Sequence, residues 1–392
     1  MRRQWWWTWL GCCLGLFFLG NVVLLYYIQN RDPPSPTKLL SFVDFSCLNR
    51  VQAELNVVQL EARRNGNPIL SSIVPTDKGL QVLFIMKHIP NDQYNMWYKA
   101  RWYCSLSSPA VMLGSDPHFH TLSIVCPPAT QSISVHNAQY DVPPNLCPWT
   151  FQPAYLSACT MVQGTEALAQ LSTWIAYHRV LGIEQFYIYV NEPMKDPPFR
   201  HVAVHWIPFQ DPFNSPFFVQ QAMQNDCIAR ARFRSAWVAL MDVDEFFQPM
   251  GSHSTSRLLA MLKPFESKSI GGLAIKNWFF GRHPGDTATE DEDGGLVFAR
   301  YIWRAPHAIR SGREKMIVQP THVIYFSVHT ITLGEPMHTM DAIMELRMNH
   351  YRRPQKGVWG YYKRQAWSKL VRDDSMRRYL KPVKRELEQF VA

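Results

Sequence analysis

The chain has 392 residues, 47% of them hydrophobic, and carries a formal net charge of +9 with a pI near 9.1. Positive charge of that size could serve nucleic acid, an anionic membrane surface or a phosphate-bearing ligand. An apolar N-terminal run and an even set of cysteines beyond it argue against the first, so no nucleic-acid partner is expected.

Residues 1–4 are basic and residues 5–28 almost wholly apolar, with Asn21 the one strongly polar position. A span of roughly 20 apolar residues crosses a bilayer as one helix. No small-residue cleavage site follows it, as a removed signal peptide would require. Trp and Tyr cluster at its two ends, Arg2 and Arg3 precede it, and Arg31 and Lys38 follow. The positive-inside bias then predicts a cytosolic tail at 1–4, a retained anchor at 5–28 and a lumenal remainder. The stretch from Asp32 to Thr37 is proline-rich and reads as a stiff spacer within a stem over 29–60. Beyond the anchor lie Cys47, Cys104, Cys126, Cys147, Cys159 and Cys227, whose pairing the sequence does not choose.

Residues 61–150 read as a small β-rich domain. Its strand-like runs are Gln81–Met86, Met96–Cys104 and Thr121–Cys126, separated by Pro, Asn, Asp and Gly. From Tyr155 strands and helices alternate, which predicts βαβ units and one α/β domain over 151–392. A strand at Tyr155–Met161 leads into an amphipathic helix from Thr165 to Leu181, ended by Gly182. Further strands are expected at Phe186–Val190 and His201–Trp206, followed by a helix from about Phe218 to Ser235.

The organising stretch comes next. Trp237–Met241 reads as a buried strand that runs into Asp242, Val243, Asp244 and Glu245. In extended backbone Asp242 and Asp244 would point to one side. They stand where the run ends, the edge at which open α/β sheets bind ligands. Two converging carboxylates call for a positive partner, and a hard divalent cation suits them. A second acidic string, Asp291 to Asp293, has no strand before it and glycines after it, and reads as a solvated loop. Beyond it, the run Gly272–Gly281 is strand-like and ends in Trp278, Phe279 and Phe280, which suit a core or a sugar face equally. Lys315–Pro320, Val323–His329 and Leu346–Arg353 follow, then a basic C-terminal segment.

These pieces, in this order, resemble glycosyltransferase family 92. The resemblance rests on Trp174 through Ile183, Trp237 through Phe247, Asn277 through Gly281, Lys315 through Pro320 and Asn349 through Arg352. It implies a GT-A fold, a mainly parallel sheet flanked by helices, behind a β-rich domain and an N-terminal transmembrane helix. It also implies a single-pass type II protein of the Golgi membrane with a lumenal catalytic domain. The implied reaction is inverting, metal-dependent transfer of galactose from UDP-galactose, in a β1,4 linkage, to the glycan of a glycoprotein or glycolipid.

By the same resemblance, Asp244 would meet Mn²⁺ or Mg²⁺, and Asp242 the ribose side or a water on the metal. His350 would complete the shell, with His329 as the alternative, and Lys315 would meet the diphosphate. The general base is expected at Asp286, with Glu290 and Glu314 as alternatives. A second reading is a lumenal or cell-surface glycan-binding protein that kept the fold and lost catalysis, against which the intact Asp242 and Asp244 argue. Association with further copies of the chain is left open.

Overall fold

The apolar runs become strands of a sheet covered on both faces, and this explains why they lack polar alternation. In the computed structural model the described residues are 69–76, 79–85, 97, 99–105, 108–116, 121–136, 138–143, 152–194, 196–209, 216–251, 257–281, 295–309, 312–351 and 369–391. The expected tail, anchor and stem lie outside them, as do Asp286, Glu290 and the second acidic string. Among the described residues no helix is long and apolar enough to cross a membrane. All of them fall within one compact unit, Ser41–Ala392.

Two antiparallel sheets occupy the N-terminal part. One has the order β1 (Ile69–Thr76), β2 (Gly79–Ile85), β6 (Thr121–Cys126), β5 (Val111–Asp116). The other runs β4 (Ser108–Pro109), β3 (Trp102–Cys104), β7 (Ser132–Val135), β8 (Ala138–Asp141). They share a core built on Phe84, Trp102, Ile124 and Tyr140, and Cys104 is bridged to Cys126. The strand expected over Met96–Cys104 shortens to β3. Trp97 and Lys99 are helical instead, and the Trp102 indole N–H donates to the Trp97 carbonyl at 3.1 Å.

The central sheet has seven strands, in the order β11 (Val204–Pro208), β10 (Gln185–Val190), β9 (Ala154–Val162), β12 (Ser235–Leu240), β17 (Lys315–Val318), β14 (Gly272–Ile275), β20 (Met337–Thr339). β11, β10, β9 and β12 are parallel neighbours, and β20 is parallel to β14. β17 runs against both β12 and β14, so the sheet is mixed, with parallel pairs in the majority. Side chains alternate between two cores. Phe186, Ile188 and Val190 face the one that contains α1 (Gly164–Val180). Tyr187 and Tyr189 face the one that contains α2 (Pro216–Ala231). Cys159 of β9 is joined to Cys227 of α2 by a second disulfide.

α1 follows the expected span closely. Its apolar side buries Leu171, Trp174 and Ile175, and Gly182 takes the left-handed conformation (φ +99°) just past its end. α2 ends sooner than expected, at Ala231, where Phe233 adopts φ +64° and the Arg234 N–H returns to the Ala231 carbonyl at 2.9 Å.

A five-stranded sheet closes over the α1 side, with the order β13 (Glu245–Pro249), β21 (Leu346–Tyr351), β15 (Asn277–Gly281), β16 (Trp303–Arg304), β22 (Val371–Arg372). The single strand expected over Gly272–Gly281 therefore divides at Lys276, and its halves, β14 and β15, join different sheets. A hairpin of β18 (Val323–Ser327) and β19 (Thr330–Gly334) packs by the N-terminal sheets, where Thr121 Oγ1 lies 2.5 Å from Tyr325 Oη. A C-terminal helix, hidden within the basic segment of the sequence, spans Leu380–Val391 and lies along α1.

Candidate functional site

The site forms where β12 hands over to β13. β12 ends at Leu240, the chain turns, and the Glu245 N–H donates to the Asp242 carbonyl at 3.1 Å. Asp242 and Asp244 thus project from a tight turn between two strands, and the extended backbone expected for them is not present. Hydrogen bonding of the turn brings them to one place where strand alternation was expected to do so. Their side chains keep 40% and 31% of their surface exposed, while that of Glu245 keeps none.

Sheet register delivers the other members. β17 runs antiparallel to β12, with Met316 opposite Leu240, so Lys315 arrives at the end of β12. β21 pairs with β13, and His350 lies directly opposite Glu245. Lys315 Nζ sits 2.8 Å from Asp242 Oδ2 and 3.1 Å from Glu245 Oε2. Gln220 of α2 donates to the second oxygen of Asp242 at 2.7 Å. His350 reaches Asp244 through Nε2 at 3.1 Å and Glu245 through Nδ1 at 3.3 Å. Glu245 also accepts from the Asp242 backbone N–H at 2.9 Å and, more weakly, from Asn277 at 3.4 Å.

Glu245 is the hub of this network. Burial raises its pKa above the usual carboxylate range, as do Asp242 and Asp244, while Lys315 and His350 work against that rise. For Lys315 burial acts downward, but Asp242 and Glu245 outweigh it and hold the side chain as an ammonium. Part of the positive partner that the acid pair demanded is therefore supplied by the chain itself.

Beside the turn lies a cleft of about 370 Å³. It is lined by Asp242, Asp244, Tyr351 and Gln220, and by Met161 of β9 with Gln163, Glu166 and Gln170 around the start of α1. It opens at the carboxyl ends of the parallel strands, as expected for such sheets. Asn191, just past β10, donates to Gln163 Oε1 at 3.0 Å on the same edge.

Asp242, Asp244, Lys315 and His350 are thus brought together. His329 is turned to the Glu314 carbonyl, 2.9 Å from Nδ1, and burial followed by the charge of Lys315 lowers its pKa. The Glu314 carboxylate accepts from the Gly312 N–H at 2.7 Å and does not line the cleft. Trp278 and Phe280 are core, whereas Phe279 is half-buried, its ring 5.1 Å from that of His350. Sequence reasoning missed Gln220, Glu166 and the part played by Glu245. The last carried a signal, because a carboxylate placed directly before Phe246 and Phe247 enters a core and needs partners there.

Among the described residues no three His, Cys, Asp or Glu side chains are arranged to hold a metal by themselves. Two donors fit one in part. Asp244 Oδ2 and His350 Nε2 converge at the edge of the cleft, and an oxygen-plus-imidazole pair suits Mn²⁺ or Mg²⁺ once water and a ligand's phosphate oxygens complete the shell. The buried Glu245 carboxylate lies 3.3 Å from the far ring nitrogen and places a negative charge beside it. Asp242 is engaged by Lys315 and Gln220 and lines the cleft beside this pair.

The model of glycosyltransferase family 92 matches residues 154–388. The galactan β-1,4-galactosyltransferase GALS2 of Arabidopsis thaliana is 26% identical over 210 residues, covering 50% of this chain and 40% of that protein. A glycosyltransferase family 92 protein of the same plant is 24% identical over 234 residues, covering 55% and 38%. The aligned part is therefore less than half the length of either relative. Among solved structures, a mannosyltransferase from Pyrobaculum calidifontis in complex with GDP-Man and Mn²⁺ is 12% identical over 62% of this chain and 78% of its own, with a TM-score of 0.32. A likeness of that size does not bear on the site.

Proposed function

The chain belongs to glycosyltransferase family 92, and from that premise we propose that it is a metal-dependent, inverting galactosyltransferase. In this reading it moves galactose from UDP-galactose onto the glycan of a glycoprotein or glycolipid, in a β1,4 linkage. The observation that carries it is the grouping of Asp242, Asp244, Lys315 and His350 at the strand ends beside an open cleft. The choice of galactose and of the linkage is supported by the names of two curated relatives, both galactan β-1,4-galactosyltransferases.

The residues divide the work. Asp244 and His350 would hold Mn²⁺ or Mg²⁺. A bound cation of this kind supplies Lewis-acid neutralisation of the charge that develops on a leaving diphosphate. Glu245 sets its buried carboxylate 3.3 Å from His350 Nδ1, while Nε2 faces Asp244. Asp242 is fixed by two donors, Gln220 and Lys315, and presents a rigid acceptor toward the ribose side of the donor. Lys315, with its ammonium held by Asp242 and Glu245, acts on the donor through Asp242, a role different from the direct diphosphate contact expected of it.

The proposed setting is the Golgi lumen, with the chain anchored by residues 5–28 as a type II protein. The Cys104–Cys126 and Cys159–Cys227 bridges suit an oxidising compartment of that kind. The test is a donor screen of the anchored protein in detergent, with each UDP-sugar and Mn²⁺ and a galactose- or fucose-terminated glycan, reading released UDP and product. UDP-galactose is expected to be the best donor. Turnover with another UDP-sugar while UDP-galactose is the poorest would overturn the assignment.

A further inference from the structure

Three of the described carboxylates line the cleft: Asp242, Asp244 and Glu166. The first two share the turn after β12 and are bonded to Lys315 and Gln220 and to His350. Glu166 comes from a different element, the first turn of α1, and its side chain is exposed. Its placement is not a matter of a loose loop. α1 is 17 residues long, buries Leu171, Trp174 and Ile175, and through the Trp174 indole N–H donates to the Glu245 carbonyl at 3.0 Å. The helix that carries Glu166 is therefore tied to the turn that carries Asp242 and Asp244.

One helical turn further on, at the i+4 position, Gln170 shares the face of Glu166. Its Oε1 is buried with no hydrogen-bond partner, and its side chain lines both the cleft and a smaller adjoining cavity. Thr173, Arg300 and Tyr301 contribute to that second space. A hydroxyl, a guanidinium, an amide acceptor and an aromatic ring are groups that recognise sugar hydroxyls and ring faces. Through Gln170 the cleft that Glu166 lines is thus continuous with a small polar recess whose groups can hydrogen-bond a sugar hydroxyl.

Resting on the transferase reading above, we propose that Glu166 is the general base of the transfer and that Gln170 and its recess seat the acceptor. The Glu166 carboxylate takes the proton of the attacking acceptor hydroxyl. That oxygen forms its bond to the anomeric carbon as the bond from that carbon to the diphosphate oxygen breaks. The nucleoside diphosphate leaves with the electron pair, and the single displacement inverts the anomeric centre. No further reactant is needed.

The test is Glu166→Gln, which preserves shape and removes the capacity to accept a proton, beside Glu166→Asp. Because the side chain is exposed, both variants should melt as the wild type does. For Glu166→Gln, kcat is expected to fall about 10²- to 10⁴-fold, with Mn²⁺-dependent UDP binding by calorimetry and the donor KM unchanged. Glu166→Asp should recover part of kcat. Undiminished kcat in Glu166→Gln overturns the proposal. So does a loss confined to donor binding, which would make Glu166 a donor contact. A wild type that binds UDP yet transfers from no UDP-sugar fails the transferase reading itself, and the proposal falls with it.

Discussion

His350 Nε2 lies 3.1 Å from Asp244 Oδ2, although the two residues are 106 positions apart in the chain. Strand register makes the meeting, since β21 sets His350 opposite Glu245, the residue next to Asp244. If this pair holds the cation, Asp244→Ala should weaken both Mn²⁺ and UDP binding in calorimetry. One charge-assisted contact is worth about 2–4 kcal/mol, or roughly 30- to 1,000-fold. Activity should fall further. Asp291→Ala, which removes an acid from the other Asp-x-Asp string, should stay close to wild type, and the reverse outcome would put the site on the wrong acids.

Lys315 and Glu245 are both almost fully buried and lie 3.1 Å apart. Removing one partner of such a pair strands the other charge, at a cost of about 3–5 kcal/mol. Lys315→Met should therefore lower the unfolding free energy in urea by about that much. The double variant Lys315→Met with Glu245→Gln should recover a good part of the loss, because no buried carboxylate is left unpaired. Equal stability of the single and double variants would count against the pairing.

His178 gives a pH dependence. It is fully buried in α1, its Nδ1–H donates to the Trp174 carbonyl at 2.8 Å, and its Nε2 accepts the Phe247 N–H of β13 at 3.4 Å. Burial lowers its pKa from 6.5 to about 3, so the folded protein holds it neutral. The unfolded chain takes up the proton first. Stability is therefore full above pH 6.5 and is lost as pH falls from there through about 3, at a rate approaching about 1.4 kcal/mol per unit. Chemical denaturation at pH 7, 6 and 5 should show that slope, and His178→Gln should flatten it relative to wild type. An unaltered slope in the variant would exclude His178 as its source.

The two disulfides should differ in effect. Cys159–Cys227 closes a separation of 68 residues and Cys104–Cys126 one of 22. A bridge typically contributes about 2–4 kcal/mol, and the longer loop should contribute about 1 kcal/mol more by chain entropy. The paired alanine variants, compared by urea midpoint, should rank in that order.

Much of this fold was legible in the sequence because its strands are apolar on both faces. The run Phe186–Val190 divides its side chains between two cores, and the periodic α1 is bounded by a glycine at φ +99°. The break at Lys276 was hidden, since Gly272–Ile275 and Asn277–Gly281 are equally apolar and only their partners β17 and β21 separate them. At the site, Asp242, Asp244, Lys315 and His350 could be listed from spacing and resemblance. Their arrangement could not, because it depends on antiparallel β17 and on a turn where a strand was expected. Glu166 was obscured by its setting, for an acid in the first turn of a helix is also what helix electrostatics favours.

The pairing of β13 with β21 has a consequence in time. A ribosome delivers Asp242 and Asp244 about a hundred residues before the histidine that completes their pair, so the nascent chain carries the acids with one donor missing. The pair of Asp244 and His350 comes into being only when the strand Leu346–Tyr351 has been made and placed between β13 and β15. A chain cut short before that strand lacks the histidine, and synthesis itself thereby postpones the pairing until the five-stranded sheet is closed.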